Sequence, residues 1–142
     1  MNTQSFKRTD IQENWILLDA KDKTLGRFAT QIAKILSGKN KAEYTPNSDM
    51  GDYVVVVNAK DIHVTGQKEN QKRYYRHSGY PGGIKSKLLS EVLEDSASEV
   101  IKSAVKGMLP KSKLGRKMFS KLKVYDGSEH PHSAQKPQLT EL

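Results

Sequence analysis

The sequence predicts an α/β domain with a parallel sheet, and three observations lead to that class. A short apolar run at residues 15–18 is typical of a buried strand, and residues 25–36 repeat apolar side chains every three or four positions, as an amphipathic helix does. A second apolar run at 53–57 lacks the polar alternation of a half-exposed strand, which indicates burial on both faces. Strand, helix and strand in this order form a βαβ unit, whose strands run parallel.

The elements of the first half are bounded by residues of suitable chemistry. Thr24 is the predicted N-cap of the helix, and Gly38 is its predicted C-terminal stop. Residues 39–51 form a polar loop before the second strand, and residues 62–65 are predicted to form a third strand. The side chains expected in the core are Trp15, Phe28, Ile32 and those of residues 54–57.

The middle of the chain is predicted to project from the domain. Residues 66–85 contain four Gly, one Pro and three Tyr, a composition typical of a loop or hairpin and not of a core element. After it, the apolar positions in residues 88–93 indicate a helix. A second helix is predicted to begin at Ser96, which would form a capping box with Glu99.

The remaining elements define the expected domain boundaries. A third helix is predicted at residues 114–122, followed by a short strand at 123–125. We therefore expect an N-terminal extension at residues 1–13, a single α/β domain at 14–125, and an extended C-terminal tail at 126–142 that projects from the domain. At 142 residues the chain has the length of one domain that buries a core.

Composition restricts the classes of partner. The chain has 24 Lys plus Arg against 16 Asp plus Glu, a net charge of +8, which makes nucleic acid the leading partner class and an anionic membrane the second. Because there is no Cys, disulfides, zinc fingers, iron–sulfur ligation and thiol catalysis are excluded. We expect no membrane span and no secretory signal, because the apolar runs are short.

The positive charge is segregated along the chain. Between Lys102 and Lys123 there are eight basic residues and no acidic one, while four acids gather at residues 91–99. A solvated helical face normally mixes the two signs, so this separation indicates a surface that binds phosphates. The alternative is a charged surface that serves only solubility. Within this run, the predicted RNA-binding residues are Lys111, Lys113, Arg116 and Lys117.

A second basic set occupies the projecting segment, where it is interleaved with flat side chains. Basic groups neutralise phosphates, and Tyr, His and Arg stack on unpaired bases or sugars, which is how RNA is often bound. The alternative is a hairpin whose Tyr rings pack back on the domain. The predicted RNA-binding residues of this segment are Lys68, Lys72, Arg73, Tyr74, Tyr75, Arg76, His77, Tyr80 and Lys85.

Motifs for catalysis are missing from the sequence. Residues 79–86 read Gly-Tyr-Pro-Gly-Gly-Ile-Lys-Ser, but a phosphate loop requires Gly directly before its Lys. No Gly-x-Gly-x-x-Gly follows a predicted strand, so a dinucleotide site is not predicted. We therefore predict no enzymatic activity and no cofactor.

Two pairs of potential ligands have simpler interpretations than a metal site. His130 and His132 flank Pro131 with no third ligand nearby in the sequence, so hydrogen bonding to RNA or a turn is favoured over metal binding. Asp49 and Asp52 could form an acid pair, but capping of the loop before the second strand is the simpler explanation. No metal site is predicted.

Several motifs along the chain are those of one protein family. The most specific are Tyr-Tyr-Arg-His-Ser-Gly-Tyr-Pro-Gly-Gly at 74–83 after Lys72, Gly-Met-Leu-Pro-Lys at 107–111 with Leu-Gly-Arg at 114–116, and His-Pro-His at 130–132 after Val-Tyr at 124–125. Further matching residues lie at 15–20, 26–27, 44–46, 51–52, 57–59 and 65–66. On these residues the sequence resembles the bacterial large-subunit ribosomal protein L-thirteen family over nearly its whole length.

The resemblance implies a three-layer α/β/α domain around a mostly parallel four-stranded sheet, without catalytic activity, cofactor or small-molecule substrate. It also implies an early-assembling constituent of the cytoplasmic ribosome that contacts large-subunit rRNA and neighbouring ribosomal proteins and no membrane. The matching residues that complete the predicted RNA-binding set are Arg27, His130 and His132.

Two rival functions follow from the same residues. A regulator that binds messenger RNA would use the same basic surfaces. An RNA-modifying enzyme on a parallel α/β sheet would need a cofactor pocket and polar catalytic groups at the strand ends, and the sequence supplies neither in a clear form.

Overall fold

The structure, a computed structural model, describes residues 5–141. Residues 1–4 of the predicted N-terminal extension and residue 142 of the predicted tail lie outside the described residues. Single 3-10 turns occur at Arg8–Asp10, Ala59–Asp61 and Ser133–Gln135. The strands and helices are β1 (Trp15–Asp19), α1 (Leu25–Ser37), β2 (Tyr53–Val57), α2 (Lys68–Gln71), β3 (Arg73–His77), β4 (Ile84–Leu88), α3 (Leu89–Met108), α4 (Lys113–Ser120), β5 (Leu122–Val124) and β6 (Gln138–Leu139).

The central sheet has four strands in the order β5-β2-β1-β6, and each neighbouring pair is parallel. This confirms the predicted α/β class with a mostly parallel four-stranded sheet. The register aligns Trp15 with Tyr53 and Val54 with Leu122. A separate two-stranded antiparallel sheet is formed by β3 and β4.

The third strand predicted at residues 62–65 was wrong. After β2 the chain makes a 3-10 turn at Ala59–Asp61, and His63 then forms only an isolated bridge with Thr24. The amide of His63 donates to the carbonyl of Lys23, so this segment pairs with the loop before α1 and not with the sheet. Alternation of buried and exposed side chains is present at residues 62–65, and the buried Ile62 and Val64 belong to the main core.

Helix α1 begins and ends where the sequence predicts. Thr24 occupies the N-cap position in an extended conformation. At the other end, Gly38 adopts the left-handed conformation with φ 78°, and its amide donates to the carbonyl of Ile35. A Cβ atom at Gly38 would also lie 2.8 Å from the backbone of Met50, so both the dihedral angle and the close approach require glycine.

The two faces of the sheet are covered differently. Ile16, Leu18, Val54 and Val56 lie on one face and pack with α1 and α3 in the main core. Because side chains alternate along a strand, Trp15 and its neighbours in register lie on the opposite face. The side chains expected on that opposite face are Trp15, Leu17, Tyr53, Val55, Val57, Lys123 and Tyr125.

The C-terminal segment lies along this opposite face, which corrects the expectation of a tail that projects from the domain. His132 lies against Trp15, with ring centroids 5.2 Å apart, and its Nε2 is 2.8 Å from the hydroxyl of Tyr125. The chain then pairs with β1 as β6. Trp15 itself is half-buried and stacks on Tyr53 at 4.4 Å, so the prediction of a fully buried Trp15 was wrong.

Of the three helices predicted after residue 87, two are confirmed and the end of the third is corrected. Helix α3 is continuous except at Ser96, whose φ of −163° is not helical and marks the predicted start of a second helix. The amide of Ser98 donates to Asp126 at 2.9 Å, a cap from a distant segment in place of the predicted capping box. Helix α4 ends at Ser120, because Leu122 belongs to β5 and not to the helix.

A buried lysine anchors the start of β5. Lys121 is 3% exposed, and its Nζ donates to Asp49 Oδ1 and Glu13 Oε1 at 3.0 Å and to the carbonyl of Gly51 at 2.9 Å. The ammonium also lies 5.5 Å from the ring centroid of Tyr53. One member of the basic run is therefore a structural group in the interior.

The interpretation of Asp49 and Asp52 as capping residues of a loop needs correction. Asp49 is buried against Lys121, and Asp52 is buried against Lys41, whose Nζ lies 2.6 Å from Asp52 Oδ1. The same oxygen accepts the amide of Asn14 at 2.9 Å. Both carboxylates thus join segments that are distant in the sequence, since a buried charge requires a partner.

Candidate nucleic-acid interface

The projecting segment is a β-hairpin. Strands β3 and β4 pair antiparallel, with Tyr75 opposite Ser86 and His77 opposite Ile84. The turn is closed by the amide of Ser78, which donates to the carbonyl of Gly83 at 3.0 Å. This confirms a hairpin within the predicted projecting segment, whereas residues 68–71 form α2, a helix that the sequence did not predict.

The three tyrosines of the hairpin have different environments. Tyr75 is 68% exposed and Tyr80 is 76% exposed, so both rings are available to a partner. Tyr74 is half-buried against the main core, and Lys72 Nζ lies 5.0 Å from its ring centroid. Tyr74 therefore packs back on the domain, as the alternative interpretation expected. For Tyr75 and Tyr80, stacking on RNA remains a prediction.

The remaining predicted residues of the hairpin region are exposed. Lys87, a neighbour of this set, forms an ion pair with Asp95 of α3 at 2.7 Å, which ties β4 to the helix. The hydrogen bond to Asp95 raises the pKa of Lys87. The exposed predicted residues are Lys68, Lys72, Arg73, Arg76, His77 and Lys85.

The basic residues of α4 project from a rigid turn. Ser112 caps the helix, and its Oγ accepts the amide of Gly115 at 3.2 Å. A Cβ atom at Gly115 would lie 1.8 Å from the carbonyl oxygen of Pro110, so glycine is required where the helix crosses the end of α3. This approach positions the exposed residues Lys111, Lys113, Arg116 and Lys117 around one junction.

Three concavities lie beside α1 and the α3–α4 junction. A cavity of about 700 Å³ between α1 and the α3–α4 junction shares Leu109 and Pro110 with a cavity of about 630 Å³ beside α4. It shares Met108 with a cavity of about 520 Å³ that reaches the start of α1 and α2. We call the two cavities that α1 residues line the α1 groove, and none of the described α1 residues lines the cavity beside α4.

The charged side chains that line the α1 groove are all positive. Among the described residues that line it, none is Asp or Glu. Lys34, Lys39 and Lys106 were not predicted as RNA-binding residues, and in the fold Lys106 lines the same cavity as Lys111 and Arg116. The basic residues that line the α1 groove are Lys34, Lys39, Lys68 and Lys72, and those that line the cavity beside α4 are Lys106, Lys111 and Arg116, all exposed.

The histidines predicted to bind RNA are separate from this groove. His130 and His132 lie with Trp15 on the sheet face opposite α1 and α3. Burial lowers the pKa of His132, and the charges of His130 and Lys123 act in the same direction. Arg27 is exposed on α1, outside the residues that line the groove.

The described part of the chain has neither a cluster of metal ligands nor a helix suited to cross a membrane. Within residues 5–141, no group of three or more His, Cys, Asp or Glu side chains is placed to bind a metal ion. No helix in that range has the length and apolar character needed to cross a membrane.

Comparison with known proteins decides the family. The family model described as Ribosomal protein L13 matches residues 13–131. The chain belongs to the ribosomal protein L13 family. Relatives named large ribosomal subunit protein uL13 include those of Chromohalobacter salexigens, 57% identical over 96% of both chains, and Nitrosococcus oceani, 59% identical over 97% of both. The relative from Marinomonas sp. is 54% identical over the full length of both chains.

Family membership carries consequences for the site. The ribosomal protein L13 family consists of ribosomal proteins and not of enzymes, which agrees with the expectation drawn from the sequence. The motifs at 74–83 and 107–116 lie within the matched range and form the hairpin and the α3–α4 junction. These two elements are therefore the candidate interface.

Proposed function

We propose that the protein is a structural constituent of the large ribosomal subunit that contacts its rRNA and acts early in subunit assembly. The observation that carries the proposal is membership in the ribosomal protein L13 family over residues 13–131. The named relatives are large ribosomal subunit proteins. A net charge of +8 supports a polyanionic partner.

The α3–α4 junction and the hairpin would bind rRNA through different interactions. Lys111, Lys113, Arg116 and Lys117 are exposed cations that neutralise phosphates and release counterions. Tyr75 and Tyr80 carry no charge, and their exposed rings would stack on bases or sugars.

The proposal extends to the other predicted residues and partners. Neighbouring ribosomal proteins and a location in the cytoplasmic ribosome follow from the same assignment. The further RNA-binding residues that we propose are Arg27, Lys68, Lys72, Arg73, Arg76, His77, Lys85, His130 and His132.

The test replaces the four cations around α4 with Gln and measures incorporation into large-subunit particles during reconstitution across a salt series. Each lost phosphate contact should reduce the log–log slope of incorporation against salt by about 0.7–0.9. The matched control replaces four exposed lysines elsewhere, Lys7, Lys21, Lys60 and Lys136, and so removes the same charge.

Two outcomes would count against the proposal. Equal incorporation and equal salt slopes for the α4 variant and the control variant would show that the α4 cations are only a solvated surface. If a high-salt wash released the unsubstituted protein from the particles, the protein would instead be a loosely bound regulator, the alternative that uses the same basic surfaces.

A further inference from the structure

We propose that Asp95 and Glu99 of α3 are specificity determinants of the hairpin, because they place negative charge against one of its faces and so weaken binding to nucleic acid that is held by charge alone. The inference rests on the proposed function for the identity of the RNA partner. It assigns a role to the acidic part of α3, at residues 91–99, which phosphate binding by the basic residues leaves unexplained.

The hairpin has two chemically different faces. In the register of β3 and β4, Tyr74 lies opposite Lys87, and Arg76 lies opposite Lys85. Because side chains alternate along a strand, these four residues share one face, which carries three cations. The exposed ring of Tyr75, predicted to stack on RNA, belongs to the other face. We call the face with the three cations the basic face of the hairpin.

The basic face lies over the acidic part of α3. Lys87 Nζ donates to Asp95 Oδ2 at 2.7 Å and so joins the hairpin to the helix. A cavity of about 370 Å³ between the two elements is lined by Glu99 of α3 and by the three cations of the basic face. A phosphate that approached these cations would therefore also approach carboxylates.

Two acids of α3 carry the contact with the basic face. The hydrogen bond to Asp95, and then the charges of Asp95, Glu91 and Glu99, raise the pKa of Lys87. Glu91 also accepts the backbone amide that precedes α3, at 3.0 Å, so it has a structural function of its own. Among the described acids of the helix, Glu94 lies outside the lining of the cavity and offers a control.

An exposed ion pair of this kind weakens binding without closing the surface. The side chains of Lys87 and Asp95 are 63% and 62% exposed, so solvent screens the pair and a phosphate can displace it. Nucleic acid that is bound by charge alone must break this pair to use the basic face. An RNA that binds through the face of Tyr75 leaves the pair intact. The acids thus oppose one mode of binding and not the other, and specificity is such a difference of affinities.

The first experiment measures binding of the full-length protein to a labelled DNA duplex of random sequence by fluorescence anisotropy across a salt series. The acid variant is Asp95→Asn, Glu99→Gln. The control variant is Glu94→Gln, Glu129→Gln, which replaces two exposed acids and removes the same charge. The acid variant should bind the duplex about two- to fivefold more tightly than the control variant, since an exposed ion pair has about this strength.

A double-mutant cycle tests whether Lys87 is the cation on which Asp95 acts. Asp95→Asn alone should steepen the log–log salt slope by about 0.9, because one more cation is free to contact a phosphate. In a Lys87→Gln background, Asp95→Asn should no longer raise the affinity for the duplex, because the partner is absent. In a Lys60→Gln background, which removes an exposed lysine elsewhere, the gain should persist.

The second experiment tests specificity during assembly. Large-subunit particles are reconstituted with increasing amounts of the unlabelled DNA duplex as competitor. Without competitor, the acid variant and the control variant should enter particles equally. With competitor, incorporation of the acid variant should fall at a concentration lower by about the factor measured in the first experiment.

The outcomes separate this inference from the proposed function. Equal affinity of the acid and control variants for the duplex, a gain that persists in the Lys87→Gln background, or equal sensitivity to the competitor would each overturn the inference. So would poor incorporation of the acid variant without competitor, which would show that these acids bind a basic segment of another component. If the unsubstituted protein fails to enter particles, the proposed function fails, and the duplex measurement still decides whether α3 restrains the basic face.

Discussion

At the scale of single residues, Lys121 shows how the same residue type serves opposite purposes in one short segment. Its neighbours Lys117 and Arg116 are exposed, whereas Lys121 is 3% exposed and hydrogen-bonded to Asp49 and Glu13. The difference arises because Lys121 follows the end of α4, where the chain turns into the sheet.

Replacement of Lys121 should destabilise the fold strongly. A Lys121→Met variant leaves Asp49 as a buried carboxylate without its partner, and breaking such a pair costs about 3–5 kcal/mol in the free energy of unfolding. Chemical denaturation at neutral pH measures the loss. The exposed Lys117→Met is the control and should change stability by about 0.5 kcal/mol or less. Equal effects of the two substitutions would contradict the buried ion pair.

His132 should make stability depend on pH. Burial first, and then the charges of His130 and Lys123, lower its pKa below the ordinary value of 6.5. The unfolded chain therefore takes up a proton near pH 6.5 that the folded chain binds only at lower pH, so the free energy of unfolding falls as the pH drops below that value.

The measurement for His132 is the pH dependence of unfolding in the unsubstituted protein and in His132→Gln. The Gln side chain keeps a polar partner for the Tyr125 hydroxyl but does not titrate. Between about pH 7 and about pH 5, the free energy of unfolding of His132→Gln should fall less than that of the unsubstituted protein. Identical pH profiles would mean that His132 does not contribute to the dependence.

At the scale of elements, α3 depends on a contact from outside the helix. Its backbone leaves helical geometry at Ser96, and the amide of Ser98 is satisfied by Asp126 from the loop after β5. The helix break is thus coupled to the position of the C-terminal segment.

Removal of this distant cap should cost stability. Asp126→Ala leaves the Ser98 amide without its acceptor, and loss of such a cap costs about 0.5–2 kcal/mol in the free energy of unfolding. Urea denaturation measures the change. Glu129→Ala removes an exposed acid three residues further along and should have little effect. A larger loss for Glu129→Ala would exclude the proposed cap.

Substitutions of the exposed hairpin tyrosines should weaken RNA binding without changing the stability of the fold. Tyr75→Ala and Tyr80→Ala should each weaken RNA association by about 1–3 kcal/mol without changing its salt slope, because a neutral ring releases no counterions. Their thermal midpoints should not change, since both rings are exposed. Tyr74→Ala should instead lower the midpoint, because Tyr74 packs on the core. Wild-type incorporation by both exposed-ring variants would argue against stacking.

At the scale of the whole molecule, the C-terminal segment forms the third layer. Helices α1 and α3 cover one face of the sheet, and the segment that contains His132 covers part of the other before it adds strand β6. The second face is therefore only partly covered, and Trp15, Leu17 and Tyr53 on it are half-buried.

Deletion of residues 126–142 should expose the second face. Trp15 is the single Trp of the chain, so its emission should shift to longer wavelength when His132 is removed from its ring. The thermal midpoint should fall by about 2–4 °C for each kcal/mol lost. Deletion of residues 140–142 alone is the control, because it leaves β6 and His132 in place. Unchanged Trp emission after the long deletion would contradict the layered arrangement.

The local sequence pattern was sufficient to predict those helices and strands whose apolar residues recur at a regular spacing. The apolar spacing of α1, the unbroken Val run of β2 and the break at Ser96 were all predicted and are observed. The family was also visible, because its motifs at 74–83 and 107–116 occur in contiguous stretches.

Only the tertiary structure decided which segments meet. β6 has two residues and no apolar period, and its place in the sheet depends on hydrogen bonds to β1 that no local pattern encodes. The strand expected at residues 62–65 has the right alternation but pairs with the loop before α1. Lys106 lines one cavity with Lys111 and Arg116 because the chain turns at Pro110 from α3 into α4. Hydrophobic period determines which face of an element is buried, whereas long-range pairing and the burial of charges depend on the partner that the folded chain supplies.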